Sequence, residues 1–258
     1  MKLAPSFYRS VAVCSVLSAV TTLGLIYLPE FYRPIEGFEG RMTRVEDPAY
    51  ALRSWVYLVH PFITFAAALG VALRIRAVRP VATIIGVAGF ALWASNEALQ
   101  QTMTLFAFDK WRAAYVAADE ATRAIIRTNA AMYDGLWDAF YFLLLLGFSI
   151  GNFALGMGLL RAGRGVTRIV GFFLLAAVAI TLPIITGEMQ LWTMPEPLAS
   201  WSYPAVQPLG RTLIGLWLWT AANEAEPLPT RFRFGELVNG KSMRLKYSGV
   251  DLWRVASA

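Results

Sequence analysis

Residues 135–160 read GLWDAFYFLLLLGFSIGNFALGMGLL. Asp138, near the start, is the only charged residue in this stretch. A helix rising about 1.5 Å per residue needs roughly 20 apolar residues to cross about 30 Å of hydrocarbon. Lipid offers no partner to backbone N–H and C=O groups, so a run of this kind must be helical. Comparable apolar runs occupy 11–28, 55–73, 81–106, 169–187 and 203–222. Strands of a membrane barrel would alternate over about ten residues, and no such segments are visible. The expected fold is all-α: a polytopic bundle of six transmembrane helices over 1–222, followed by a cytoplasmic tail over 223–258.

Composition agrees with that reading. Hydrophobic residues make up 57% and charged residues 16% of the 258, against about 25% charged in an average soluble domain. Too few charges remain to cover a soluble surface, which excludes disorder, collagen-like sequence and an ordinary cytosolic enzyme. The net charge of +6 does not point to nucleic acid, because the basic residues cluster beside the apolar runs. Cys14 is the single cysteine, so an internal disulfide, a zinc knuckle and a CxxC pair are excluded. His60 is the single histidine, so the usual multi-histidine metal sites are excluded as well. No metal and no cofactor is expected.

Short connections set the orientation. Arg74, Arg76 and Arg79 separate the second and third runs with no acid among them, and Arg161, Arg164 and Arg168 separate the fourth and fifth. Lys2 and Arg9 lie before or at the start of the first run, and further Lys and Arg follow the sixth. In a six-span chain all four groups fall on one side, which the positive-inside rule makes cytoplasmic. Both termini are therefore expected in the cytoplasm. Lys2 and Arg9 could also open a signal peptide, but the apolar stretch is longer than a usual h-region and no small-x-small site closes it. The first run reads as a retained helix.

Outside the spans, 29–54 holds Pro29, Pro34 and Pro48 with two glycines, which predicts turns and short pieces. Segment 109–132 lacks Gly and Pro, and Trp111, Tyr115, Ala118, Thr122, Ile125 and Ile126 recur at helical spacing. It predicts an outer amphipathic helix, lying on the interface or capping the bundle, with Asp119 and Arg123 as an i,i+4 pair. In the tail, Asn239-Gly240 between two strand-like runs predicts a small β-hairpin. Its basic face would sit near anionic headgroups or be solvated without a partner.

Polar residues within spans are costly, and their placement is informative. His60 lies about 8 Å below the outer end of its span at the helical rise. Asn96, Glu97, Gln100 and Gln101 occupy the outer half of the third span, the pairs Asn96/Gln100 and Glu97/Gln101 covering one broad face. Asp134 and Asp138 open the fourth span at i,i+4 spacing. Glu188 ends the fifth, and Arg211 lies about 12 Å into the sixth. The inner halves are almost free of ionisable groups, which gives an outer polar basin above an apolar plug. Such a basin could bind a hard cation through oxygens, carry a proton, do acid–base work through His60 or clamp an anionic headgroup through Arg211. A purely structural reading stands beside these. Asp134 would cap the fourth span, Glu97 and Arg211 would form an ion pair, and His60, followed by Pro61, would sit near a wet helix start. If the basin exists, His60, Glu97, Asp138 and Arg211 must converge, with Arg211 first and His60 second as the partner of Glu97.

Gly147 and Gly151 form a GxxxG pattern that allows close helix approach, within the chain or at a homodimer face. Trp55, Tyr57, Trp192, Trp201, Tyr203, Trp217 and Trp219 stand near span ends as an aromatic belt would. Phe7-Tyr8-Arg9 running into the first span, and Pro208-Leu209-Gly210-Arg211 leading to Ile214-Gly215-Leu216-Trp217-Leu218-Trp219, resemble a bacterial domain-of-unknown-function family of small multi-pass membrane proteins (DUF4386-like). Arg211 stands where that family's pattern has an acid. The resemblance implies a multi-pass protein of the bacterial inner membrane and no particular activity, substrate or cofactor.

No HExxH or Walker sequence is present. The function expected is therefore non-enzymatic: a structural or accessory subunit, or a binder of a small ligand or lipid. Its partners would be the bilayer, an amphiphile or another membrane subunit, and not nucleic acid. An enzyme acting on an amphiphile at the outer leaflet and a carboxylate-based transporter are the alternatives.

Overall fold

The structure, a computed structural model, describes residues 3–192 and 194–223, and every regular element among them is helical. In chain order these are α1 (Pro5–Tyr27), α2 (Gly37–Thr43), α3 (Pro48–Ile75), α4 (Pro80–Met103), α5 (Asp109–Ala117), α6 (Glu120–Ala162), α7 (Val166–Glu188) and α8 (Glu196–Asn223). Several starts are written in the sequence. Asp47 accepts N–H bonds from Ala49 and Tyr50, and Pro48 follows it at the first helical position. Pro80 opens α4 in the same way, where its missing N–H costs nothing.

Five helical segments are long and apolar enough to cross a membrane: Pro5–Phe31, Pro48–Ile75, Pro80–Ala117, Glu120–Ala162 and Val166–Glu188. The sixth apolar run, 203–222, lies within α8. Gln207, Arg211, two internal prolines and three tryptophans lower the hydropathy of that helix. Its packing is nevertheless integral. The long helices contact one another in the order α1, α3, α4, α6, α7, α8 and back to α1, a closed ring.

The two basic turns meet at one end of the ring, where Arg79 Nη2 donates to the Arg161 carbonyl at 2.7 Å. Arg74 lies there too, 4.0 Å from the Trp217 ring, with Arg9 at 5.9 Å from Trp219. Trp217 is thus a buried packing residue rather than part of a surface belt, its Nε1 donating to Thr167.

The opposite end carries a cap, and here the structure corrects the sequence reading. No single amphipathic helix spans 109–132. A π-helical turn, Thr104–Phe108, joins α4 to α5, so that Pro80–Ala117 is one rod. The chain then breaks at Ala118, which is extended, and Asp119 caps α6 by accepting the Thr122 N–H at 2.8 Å. Asp119 therefore caps a helix instead of pairing with Arg123, whose guanidinium donates to the Tyr115 and Val116 carbonyls. The second half of the expected amphipathic helix is the beginning of α6. At 43 residues, α6 is roughly 65 Å long, about twice a hydrocarbon core. Its first turns, α2 and α5 share a separate apolar core of Met42, Phe108, Tyr115, Ile126, Ala130 and Tyr133, in which the Phe108 and Tyr133 rings stack at 4.2 Å. Segment 29–54 does form turns and short helical pieces up to Asp47, but from Pro48 on it is already α3. The expected β-hairpin and tail lie outside the described residues.

α4 and α6 approach most closely at glycine. A Cβ on Gly89 would stand 2.5 Å from the Gly151 nitrogen and 2.9 Å from the Gly147 carbonyl oxygen. The Gly147/Gly151 pattern thus serves packing within the chain. Because the obstructing atoms are backbone, nothing can rotate away. Gly89→Ala should lower the stability of detergent-solubilised protein by about 1–3 kcal/mol, the cost of overpacking. Gly135→Ala, with nothing within 4 Å, should leave it unchanged or raise it, as Ala is the better helix former. Thermal unfolding of the two variants checks the contact, and equal behaviour would sink it.

Asp47 also ties down the cap. It is buried, and its Oδ2 accepts the Arg33 N–H at 2.7 Å. That bond, followed by those from Ala49 and Tyr50, holds the carboxyl below its usual range. A depressed carboxylate contributes stability that is present above its ordinary pKa and is lost as pH falls through the depressed one. Hydrogen-exchange protection of the Arg33 amide, corrected for the intrinsic rate, should therefore fall on acidification in the wild type. In Asp47→Asn it should be insensitive to pH over the same window.

Candidate functional site

The ring encloses a cavity of about 330 Å³. α3 contributes Arg53, Tyr57 and His60, and α4 contributes Trp93, Glu97 and Gln100. Trp137, Tyr141 and Phe148 line it from α6, Tyr203 and Arg211 from α8, and Thr22 from α1. The spacings are helical: Tyr57/His60 and Trp93/Glu97/Gln100 each lie on one face, as do Trp137/Tyr141/Phe148. The prolines inside α3 and α8 (Pro61, Pro204, Pro208) each remove one helical hydrogen bond beside this site. His60 lies well inside α3 and not near a helix start.

Arg211 organises the wall. Its Nη1 donates to Thr64 Oγ1 at 2.7 Å and to His60 Nε2 at 3.0 Å. Its carbonyl accepts the Ser15 hydroxyl at 2.6 Å, so a single residue of α8 binds both α3 and α1. A guanidinium has no acceptor, so His60 Nε2 must be the acceptor and the imidazole proton must lie on Nδ1. Nδ1 is 2.7 Å from Thr21 Oγ1, whose own proton has the Leu17 and Ser18 carbonyls within reach. The chain Arg211–His60–Thr21 is thus fully directed, and both ring nitrogens of His60 are engaged.

Glu97 faces the same cavity but does not pair with Arg211. No ion pair joins them among the described residues, and the buried Glu97 Oε1 has no hydrogen-bond partner there. This corrects the expected Glu97–Arg211 bridge. Arg211 is drawn to the α1–α3 side by Thr64 and His60, while Glu97 projects from α4. Gln100 completes the polar lining by donating from Nε2 to the Trp137 carbonyl at 2.8 Å. Asn96 is buried but bonds within its own helix, to the Leu92 carbonyl.

A second cavity of about 510 Å³ adjoins the first on the cap side, the two sharing Arg53, Tyr57 and Trp137. Gln101, Asp134 and Asp138 line it. Asp138 therefore does not converge with His60, Glu97 and Arg211; it is exposed and sits in this neighbouring vestibule. Asp134 is no helix cap, because α6 begins fourteen residues earlier, at Glu120. Its two oxygens take a fork from Arg41 Nη1 and Nη2, which locks α2 onto α6. Glu188 is exposed at the end of α7 and lines neither cavity.

The aromatic wall of Tyr57, Trp93, Trp137 and Tyr141 escaped the sequence reading, which took Tyr57 and Tyr203 for a belt and gave the others no role. The i,i+4 spacings of Trp93 to Glu97 and of Trp137 to Tyr141 were the available sign. Compared with family models, characterised proteins and solved structures, the chain matches none.

Because His60 is the single histidine, its tautomer can be read without assignment. In ¹⁵N-histidine-labelled protein the Nδ1-protonated neutral form should dominate at pH 7, and Arg211→Met should abolish that preference. A proton found on Nε2 in the wild type would refute the directed chain.

Proposed function

We propose that this chain is a multi-pass membrane protein with six crossings and both termini in the cytoplasm, and that its cavity binds a small polar or amphiphilic ligand reached from the outer, capped side. The observation that carries the reading is Glu97 Oε1. A buried carboxylate oxygen without a donor is costly, and the Glu97 side chain that carries it lines a void of about 330 Å³, within the usual size range of ligand sites. A donor supplied from outside would remove the cost.

The orientation is supported by the meeting of both basic turns at one end of the ring and by the vestibule of acids and arginines at the other. With α8 as the sixth crossing, the two turns fall on the cytoplasmic side. Binding is favoured over catalysis because His60, the natural base, has Nε2 engaged by Arg211 and Nδ1 by Thr21. It is favoured over transport because the interior beyond Arg211 narrows to about 40 Å³, room for only a few water molecules.

Cysteine labelling tests the open side. In a Cys14→Ser background, Gln101→Cys should react with a membrane-impermeant thiol reagent added outside intact cells. Thr83→Cys, at the end with the basic turns, should react only after the cells are opened. The reverse pattern would overturn the orientation and with it the outer route to the cavity.

A further inference from the structure

We infer that the ligand is a zwitterion carrying a protonated primary amine and a phosphate or carboxylate, with the amine at Glu97 and the anion at Arg211. The inference rests on the binding reading above and names the ligand class of the same site.

The amine end follows from three features. Glu97 is 4% exposed and its Oε1 has no donor among the described residues, so a ligand group that satisfies it brings an N–H or O–H. Aromatic rings surround the same void. Trp137 and Tyr141 stack at 5.3 Å, and Trp93 stands edge-on to His60 at 6.0 Å. Ring faces attract cations, most strongly where water is excluded. A cation with N–H groups satisfies both the carboxylate and the rings. A quaternary ammonium satisfies the rings but leaves Oε1 without a hydrogen bond, and a neutral hydroxyl satisfies the oxygen but gains little from the rings.

The anion end follows from Arg211. Its two side-chain hydrogen bonds both leave from Nη1, and a guanidinium has three further N–H groups on Nη2 and Nε. Such a fork matches phosphate and carboxylate oxygens. Arg53 lines the same cavity. It is anchored by donating to the Leu25 carbonyl at 3.0 Å and lies 4.9 Å from the Tyr57 ring, so a second fixed positive charge faces the void. Opposite charges on facing helices, set across one cavity, suit a ligand whose own charges are separated. The head group of an ethanolamine phospholipid and its soluble glycerophospho counterpart share this chemistry.

The test uses the full chain purified in a maltoside detergent. Glycerophosphoethanolamine and glycerophosphocholine are titrated separately while the melting temperature is followed. In parallel the protein is placed in nanodiscs of ethanolamine or choline phospholipid. The ethanolamine form should stabilise at a concentration about tenfold lower, the effect of one charge-assisted hydrogen bond, or give the higher melting temperature in nanodiscs. Glu97→Gln, which removes the charge and keeps the shape, should erase the preference. Asp138→Asn, in the vestibule, should keep it. Stabilisation by the soluble compound identifies a free zwitterion as sufficient, and stabilisation in nanodiscs alone identifies a lipid head group. Equal or better stabilisation by the choline forms, or a preference that survives Glu97→Gln, overturns the amine assignment and leaves the binding reading standing. No response to any of the four preparations overturns both.

Discussion

A guanidinium in the middle of a helix bundle must be given partners, and the arrangement around Arg211 follows from that requirement. An ionised side chain facing hydrocarbon costs on the order of 3 kcal/mol even on the most lenient scale. Arg211 avoids that cost by turning inward to Thr64 and His60. His60 is in turn fixed by Thr21, and Ser15 holds the Arg211 backbone. These bonds join α1, α3 and α8, the first and last long helices and the one between α1 and α4. The ring closes where this residue sits. α8 is the helix whose composition least resembles a membrane span, yet it supplies the cation around which two other helices are fastened.

The opposite side of the ring closes by another means. α4 and α6 meet through Gly89, Gly147 and Gly151, backbone against backbone. Without side chains between them, the two helices are held by dispersion contacts at close approach, the mode of association that suits helices long and apolar enough to cross a membrane. The two modes of attachment leave a gap between them. On the glycine side the helices touch, and on the arginine side polar groups hold them at side-chain length. The cavity of about 330 Å³ occupies the space between these two seams, which is why Glu97 on α4 and Arg211 on α8 can face one void without meeting.

The helices of the ring were legible in the sequence because apolar run length is a one-dimensional property, and so was the shared end of Arg79 and Arg161. Depth was legible for the same reason: His60, Glu97, Gln100 and Arg211 do line one cavity. Azimuth across helices was not. The rise per residue places Glu97 and Arg211 at comparable depth, but only the packing angles determine whether their side chains meet. Asp134 and Asp138 were rightly placed on one face, yet that face belongs to the vestibule, because α6 continues toward the cap by about four turns beyond the apolar run. The break at Ala118 had no glycine or proline to announce it. It is made by the Asp119 side chain taking a backbone N–H that the helix would otherwise have left to water.

On the binding reading, site and scaffold are not independent. An anion drawn to Arg211 would share the guanidinium with His60 Nε2 and Thr64 Oγ1, the same bonds that hold α8 against α3. A donor brought to Glu97 would act on α4, across the cavity from that seam. A ligand long enough to reach both would therefore join the side closed by glycine contacts to the side closed by arginine. It would stabilise the ring in proportion to its differential affinity for the closed arrangement, as any ligand shifts an equilibrium between states. A ligand engaging Arg211 alone, through Nη2 and Nε, would leave α4 untouched and would not join the two sides. The placement of the uncompensated carboxylate on the opposite helix is what makes a two-ended ligand the one that fits this architecture.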